Sequence, residues 1–186
     1  MTDPTPHLFW ITSRAAGTAA LLLASFGMCI GLLMGGRLVR RRGLDLRTTH
    51  EAVSLATLLA IAVHGVSLLG DHFLHPSLAD ISVPFASAYK TGWTSAGIVA
   101  GWGLAVLGLS YYARRWIGVQ RWRSLHGLTV AAWLLGVIHS LGEGTDSGQT
   151  WFLVMTAIAV VPAVVLFLAR LSGARAQAPV RAGGLS

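Results

Sequence analysis

The sequence predicts an all-α fold, an integral membrane bundle of five transmembrane helices. Three observations lead there. Only 11% of the 186 residues are charged and the mean hydropathy is +0.64, whereas soluble domains carry about 25% charged residues. The charged residues leave five gaps, at 15–36, 52–70, 91–113, 125–142 and 147–169, each 18–23 residues long. A spanning helix needs roughly 17–25 residues. The arginines, finally, fall in alternate connections. Arg37, Arg40, Arg41, Arg42 and Arg47 separate the first two spans, Arg114, Arg115, Arg121 and Arg123 separate the third and fourth, and Arg170, Arg175 and Arg181 follow the fifth. Twelve of the fourteen basic residues therefore share one side, with only Arg14 and Lys90 on the other. By the positive-inside rule the N-terminus is expected outside and the C-terminus in the cytoplasm of a multi-pass cell-membrane protein. The net charge of +7 is accounted for by this topology, and no nucleic-acid partner is expected.

Residues 1–9 read as a short polar lead containing Pro4 and Pro6, and residues 10–170 as the membrane domain. The first span lacks the basic leading region of a signal peptide and its apolar run is too long for one. Its lone Cys29 has no partner for an internal disulfide and reads as a small packing residue. Gly35-Gly36 closes it. The second span carries His50 and His64. The connection 71–90 holds Asp71, His72, His75, Pro76 and Pro84 and is expected outside, with residues 81–88 along the interface. Asp71, His72 and His75 read first as solvated loop residues, and second as a holder for a metal-ion acceptor. Five glycines in the third span read as packing positions, or as room for a large flat ligand. A short turn at Gly118 favours antiparallel neighbours. The fourth span carries His126 and His139, followed by Glu143 and Asp146. The fifth ends in a tail, 171–186, rich in Ala, Gly, Arg and Pro and expected to be disordered. Trp10, Trp93, Trp116, Trp122 and Trp151 sit near span ends, as an aromatic belt does, while Trp102 and Trp133 fall mid-span.

The four intramembrane histidines are the costly residues, and by default such residues mark function. His50 and His64 are 14 residues apart, and His126 and His139 are 13 apart. At 1.5 Å per residue these rise about 21 Å and 19.5 Å, within a hydrocarbon core about 30 Å thick. Both spans start on the cytoplasmic side, so His50 pairs in depth with His126, and His64 with His139. Two imidazoles at one depth on facing helices suit haem iron, which takes axial ligands above and below its macrocycle. Zinc wants three or four ligands around one point. A histidine proton relay is the other open reading. Fourteen residues return to within about 40° on a helix, but thirteen leave about 140° between His126 and His139. A π-bulge in the fourth span, or two haems rotated differently, would accommodate that.

The 14-then-13 spacing on alternate spans resembles the ferric reductase-like transmembrane domain, a family that includes NADPH oxidases, ferric reductases and the haem-binding membrane subunit of bacterial methionine-sulfoxide reductase systems. Trp122-Arg123-Ser124-Leu125-His126-Gly127-Leu128 is similar to its W-R-x-L-H-x-L segment, and Ser13-Arg14-Ala15-Ala16-Gly17 to its R-A-small segment. The resemblance covers roughly residues 10–170. It implies two b-type haems, His50/His126 binding the inner and His64/His139 the outer, with Arg14 beside the outer haem. Respiratory cytochrome b also pairs histidines on its second and fourth helices, but the short loops and outside N-terminus fit it less well. The sequence carries no G-x-G-x-x-G fingerprint after a strand. The expected electron donor is therefore a separate cytoplasmic flavoprotein or a quinol, steered by the basic face if it is acidic. The expected acceptor is external: ferric iron, oxygen or a partner protein. Three functions follow: a ferric reductase- or oxidase-type oxidoreductase component, an electron-supply subunit for an extracytoplasmic reductase, or a non-haem histidine-relay proton or metal carrier.

Overall fold

Five long apolar helices form the frame. The computed structural model describes residues 7–35, 45–71, 73–144 and 146–176. Arg37, Arg40, Arg41, Arg42, His72, Arg181 and the stretches 1–6 and 177–186 lie outside the described residues. Among those described, the regular structure is all helix, with no strand. The helices are α1 (Leu8–Gly35), α2 (Leu46–Leu68), α3 (Leu78–Ser82), α4 (Thr91–Leu109), α5 (Arg114–Ile117), α6 (Val119–His126), α7 (Thr129–Glu143) and α8 (Thr150–Ala176). α1, α2, α4, the α6–α7 pair and α8 are each long and apolar enough to cross a membrane. Most of their apolar surface is left uncovered by protein, as a lipid-facing bundle requires.

Two boundaries move from the sequence reading. α1 already begins at Leu8, so the expected lead 1–9 ends inside a helix. α8 runs to Ala176, six residues into the expected tail. A charge-gap criterion stops at Arg14 and Arg170, whereas the helices run on past both.

α1 packs along α2 and also touches α7 and α8, while α4 packs along α7. The bundle's buried centre is a cluster of Leu21, Trp133, Val137, Phe152 and Ala163. Trp133, 2% exposed, donates its indole N–H to the hydroxyl of fully buried Ser25 at 3.1 Å, joining α7 to α1. Trp133 is thus a packing residue. Trp102 is 57% exposed, and its indole donates to the Ser82 carbonyl at 2.9 Å.

The connection 71–90 doubles back beside α4, with Ser82 against Trp102 and the Phe85 N–H bonded to Ser95 Oγ at 2.8 Å. Polar backbone in such a segment needs partners, and α4 supplies these two. The sharp return puts three non-glycine residues, His75, Phe85 and Lys90, at positive φ.

The fourth span is not one continuous helix. It breaks at Gly127-Leu128, where Leu128 N–H bonds to the Leu125 carbonyl at 2.9 Å and Ala131 N–H to the Leu128 carbonyl at 3.0 Å, each three residues back. The break is a tightened turn and not a π-bulge. Each residue of such a turn advances about 120° instead of 100°, which recovers part of the rotation the 13-residue spacing lacks.

Candidate functional site: two opposed histidine pairs

The bundle brings the four histidines together as two pairs. His50 of α2 faces His126 at the end of α6, ring centres 6.3 Å apart and planes at 88°. His64 of α2 faces His139 of α7 at 6.2 Å and 69°. Among the described residues, no third His, Cys, Asp or Glu joins either pair to make a closed metal site.

Each ring is seated in its own notch on a neighbouring helix. The Nδ1 of His64 lies 2.8 Å from the Ser13 carbonyl, that of His139 2.9 Å from the Trp93 carbonyl, and that of His126 3.3 Å from the Leu107 carbonyl. His50 Nδ1 is buried with only a poorly formed contact to the Gly27 backbone. A carbonyl can only accept, so Nδ1 of the first three carries the hydrogen. Nε2 is then the nitrogen with a free lone pair, the usual division of labour in a metal-ligating histidine.

Four residues after three of these carbonyls stands a glycine. Gly17 follows Ser13, Gly31 follows Gly27, and Gly97 follows Trp93. A Cβ at Gly17 would come within 2.9 Å of His64 Nδ1, one at Gly97 within 2.6 Å of His139 Nδ1, and one at Gly31 within 3.3 Å of the His50 ring. Gly17 and Gly97 make the room that lets the imidazole reach the carbonyl one turn earlier, and Gly31 makes room for the His50 ring. Gly17 and Gly31 are 14 residues apart on α1, the same spacing as His50 and His64 on antiparallel α2. That match is written in the sequence and sequence reasoning missed it. His126 departs from the pattern. Its carbonyl, Leu107 O, also accepts Ser110 Oγ at 2.6 Å, and the ring is stacked on Trp122 instead, at 4.9 Å and 24°. Trp122 is itself fixed by an indole bond to Ser110 Oγ at 3.1 Å.

With metal–imidazole bonds of about 2.0–2.1 Å, ring centres 6.2 and 6.3 Å apart leave room for one metal ion between the two rings of each pair. α2 and α7 meanwhile hardly pack on one another, each being held by its own partner, α1 or α4. Two imidazoles from facing helices are the donor set that a haem iron would take. The glycines serve the rings and not the plane between them, so the large-flat-ligand reading of α4's glycines becomes, at Gly97, room for a histidine.

The remaining candidates sort by end of the bundle. At the His64/His139 end, Arg14 forms an ion pair with Asp146 and lies over Trp10 at 4.5 Å. The expected guanidinium is thus adjacent in sequence to Ser13, which holds His64, and its charge is met by Asp146. Lys90 Nζ donates to the Gly142 and Glu143 carbonyls at 3.1 and 3.4 Å, satisfying the end of α7. Asp71 accepts from Phe73 N–H at 2.9 Å and organises its own turn. At the other end, Tyr112 donates to Glu51 Oε1 at 2.6 Å, and that bond pushes the phenol's pKa up. The guanidinium of Arg114 lies 3.8 Å above Tyr111, which meets Trp122 edge-on. An Arg–Tyr–Trp–His series therefore runs from this end to His126.

Compared with protein-family models, curated proteins and solved structures, the chain gives no match.

Proposed function

We propose that this chain is a di-haem b-type membrane cytochrome, of the ferric reductase-like kind, that carries electrons across the cell membrane. The observation that carries the reading is the opposed histidine pairs at 6.3 and 6.2 Å, with Nδ1 of His64, His126 and His139 turned to helix carbonyls and their Nε2 left to bind. His50 and His126 would ligate one haem and His64 and His139 the other. Bound there, the haems supply one-electron redox chemistry, and iron with both axial positions filled passes electrons in preference to binding oxygen. The chain's own part is to fix the imidazoles, hold their tautomers and surround them with low-dielectric helix. His50 and His64 lie on one unbroken helix, so the two layers stand about 21 Å apart along it.

The direction of transfer follows from the arginines. Arg47, Arg114, Arg115, Arg121, Arg123 and Arg170 cap the helix ends nearest the His50/His126 pair. We assign that face to the cytoplasm, with the N-terminus outside. A flavoprotein or a quinol would deliver electrons there, and ferric iron, oxygen or a partner protein would take them at the Arg14–Asp146 face. An electron-supply role for an extracytoplasmic reductase uses the same layout with a protein acceptor.

His64→Ala is the direct test of the pairing. The variant should retain the His50/His126 haem, reducible by dithionite, and lose the second b-type component. Loss of both components or of neither contradicts the pairing.

A further inference from the structure

The two histidine pairs are not held equally. At the His64/His139 end both Nδ1–H groups have short backbone acceptors, 2.8 and 2.9 Å away. At the His50/His126 end one acceptor is at 3.3 Å and shared with Ser110, and the other is poorly formed. His64 is the most tightly held of the four. Ser13 is 2% exposed. Its hydroxyl donates to the His64 carbonyl at 3.0 Å, so a lone pair of the same oxygen faces His64 Nδ1, also at 3.0 Å. Nδ1–H is therefore shared between the Ser13 carbonyl and the Ser13 hydroxyl oxygen, and main chain and side chain of His64 are tied to one residue. A serine hydroxyl inside an apolar span would satisfy itself by bonding back to its own helix. This one instead bonds across to α2.

We propose that Ser13 is a positioning residue for His64, and that its hydroxyl lowers the reduction potential of the His64/His139 haem relative to the His50/His126 haem. The inference rests on the di-haem reading. Hydrogen bonds accepted from Nδ1–H draw the proton away from the ring and make Nε2 a stronger donor. A stronger axial donor favours ferric over ferrous iron, and outer-layer hydrogen bonding is one of the levers by which a protein sets haem potential. The outer site then sits below the inner one in intrinsic potential, and an inside-negative membrane voltage favours the outward transfer.

Redox titration of the purified holoprotein, followed optically, tests this with His64→Ala identifying which component is which. Ser13→Ala should raise the midpoint potential of the His64/His139 component, leave the other unmoved and keep two haems bound. Ser13→Thr, which retains the hydroxyl, should hold the wild-type value. Should Ser13→Ala fail to accumulate, Ser13→Cys, with its weaker acceptor, should move the same component in the same direction. Potentials unchanged in Ser13→Ala (or in Ser13→Cys where that is the variant recovered), or both components shifting together, would overturn the role of Ser13. A wild-type protein that binds no haem would instead refute the di-haem reading and this inference with it.

Discussion

At the scale of single residues, the site is a set of imidazoles whose orientation is decided by what sits behind them. Two rings, His64 and His139, use a carbonyl and a glycine one turn later, and His50 uses the glycine alone, which makes these glycines as specific as the histidines. Gly97→Val should displace His139, because even the first carbon of the new side chain would lie 2.6 Å from Nδ1, and the corresponding haem component should be lost or spectrally altered. Gly92→Val, where a Cβ meets nothing within 4 Å, should leave the spectrum as it was. Equal effects of the two substitutions would show that α4's glycines act only through helix packing. The histidines themselves were legible in the sequence because a polar ring in an apolar run is conspicuous. The glycines at 17 and 31 were hidden by abundance: with 22 glycines in the chain, no single one stands out until it is seen against a ring.

At the scale of elements, several helices are fixed by a small number of polar contacts within a largely apolar surface. Asp45 caps α2, the helix that carries two of the four histidines, accepting from Arg47 and Thr48 N–H at 3.1 and 3.4 Å and from the Thr48 hydroxyl at 2.6 Å. The Thr48 hydroxyl first, and then the Thr48 and Arg47 backbone, hold its carboxyl below the usual range. A carboxyl lowered in the folded state stabilises the cap above the ordinary carboxylate value, and the contribution is lost as pH falls through the lowered one. Amide exchange at Arg47 and Thr48 should therefore accelerate on acidification in the wild type and become independent of pH, after correction for intrinsic exchange, in Asp45→Asn, which caps without titrating. At the bundle centre, Trp133→Ala removes both the largest core ring and the bond to Ser25. A loss of about 3–5 kcal/mol is expected for such a truncation, read as a lowered unfolding midpoint in detergent. The five spans were legible from charge gaps alone. The return of 78–88 beside α4 was not, because it depends on contacts between separate segments, such as Trp102 with Ser82, and the break at Gly127-Leu128 was not, because it carries no proline and only one of many glycines to mark it.

At the scale of the whole molecule, two helix pairs, α1–α2 and α4–α7, are joined by the apolar centre between α1 and α7 and bring their histidines face to face, with α8 packed on α1. Matched depth, which the sequence expressed only as spacings of 14 and 13, became two facing pairs once α2 and the α6–α7 span were set opposite one another. The arginine-capped face and the face bearing Arg14–Asp146 give the molecule two chemically different ends, as transmembrane electron transfer requires. The central claim is that the space between the pairs belongs to haem. A reduced-minus-oxidised absorbance spectrum of the purified full-length protein, with haem quantified per chain, tests it most directly. It should show b-type Soret and α-band changes with two haems per chain. A preparation that takes up no haem when it is supplied during expression, and shows no change in either band, would contradict the account.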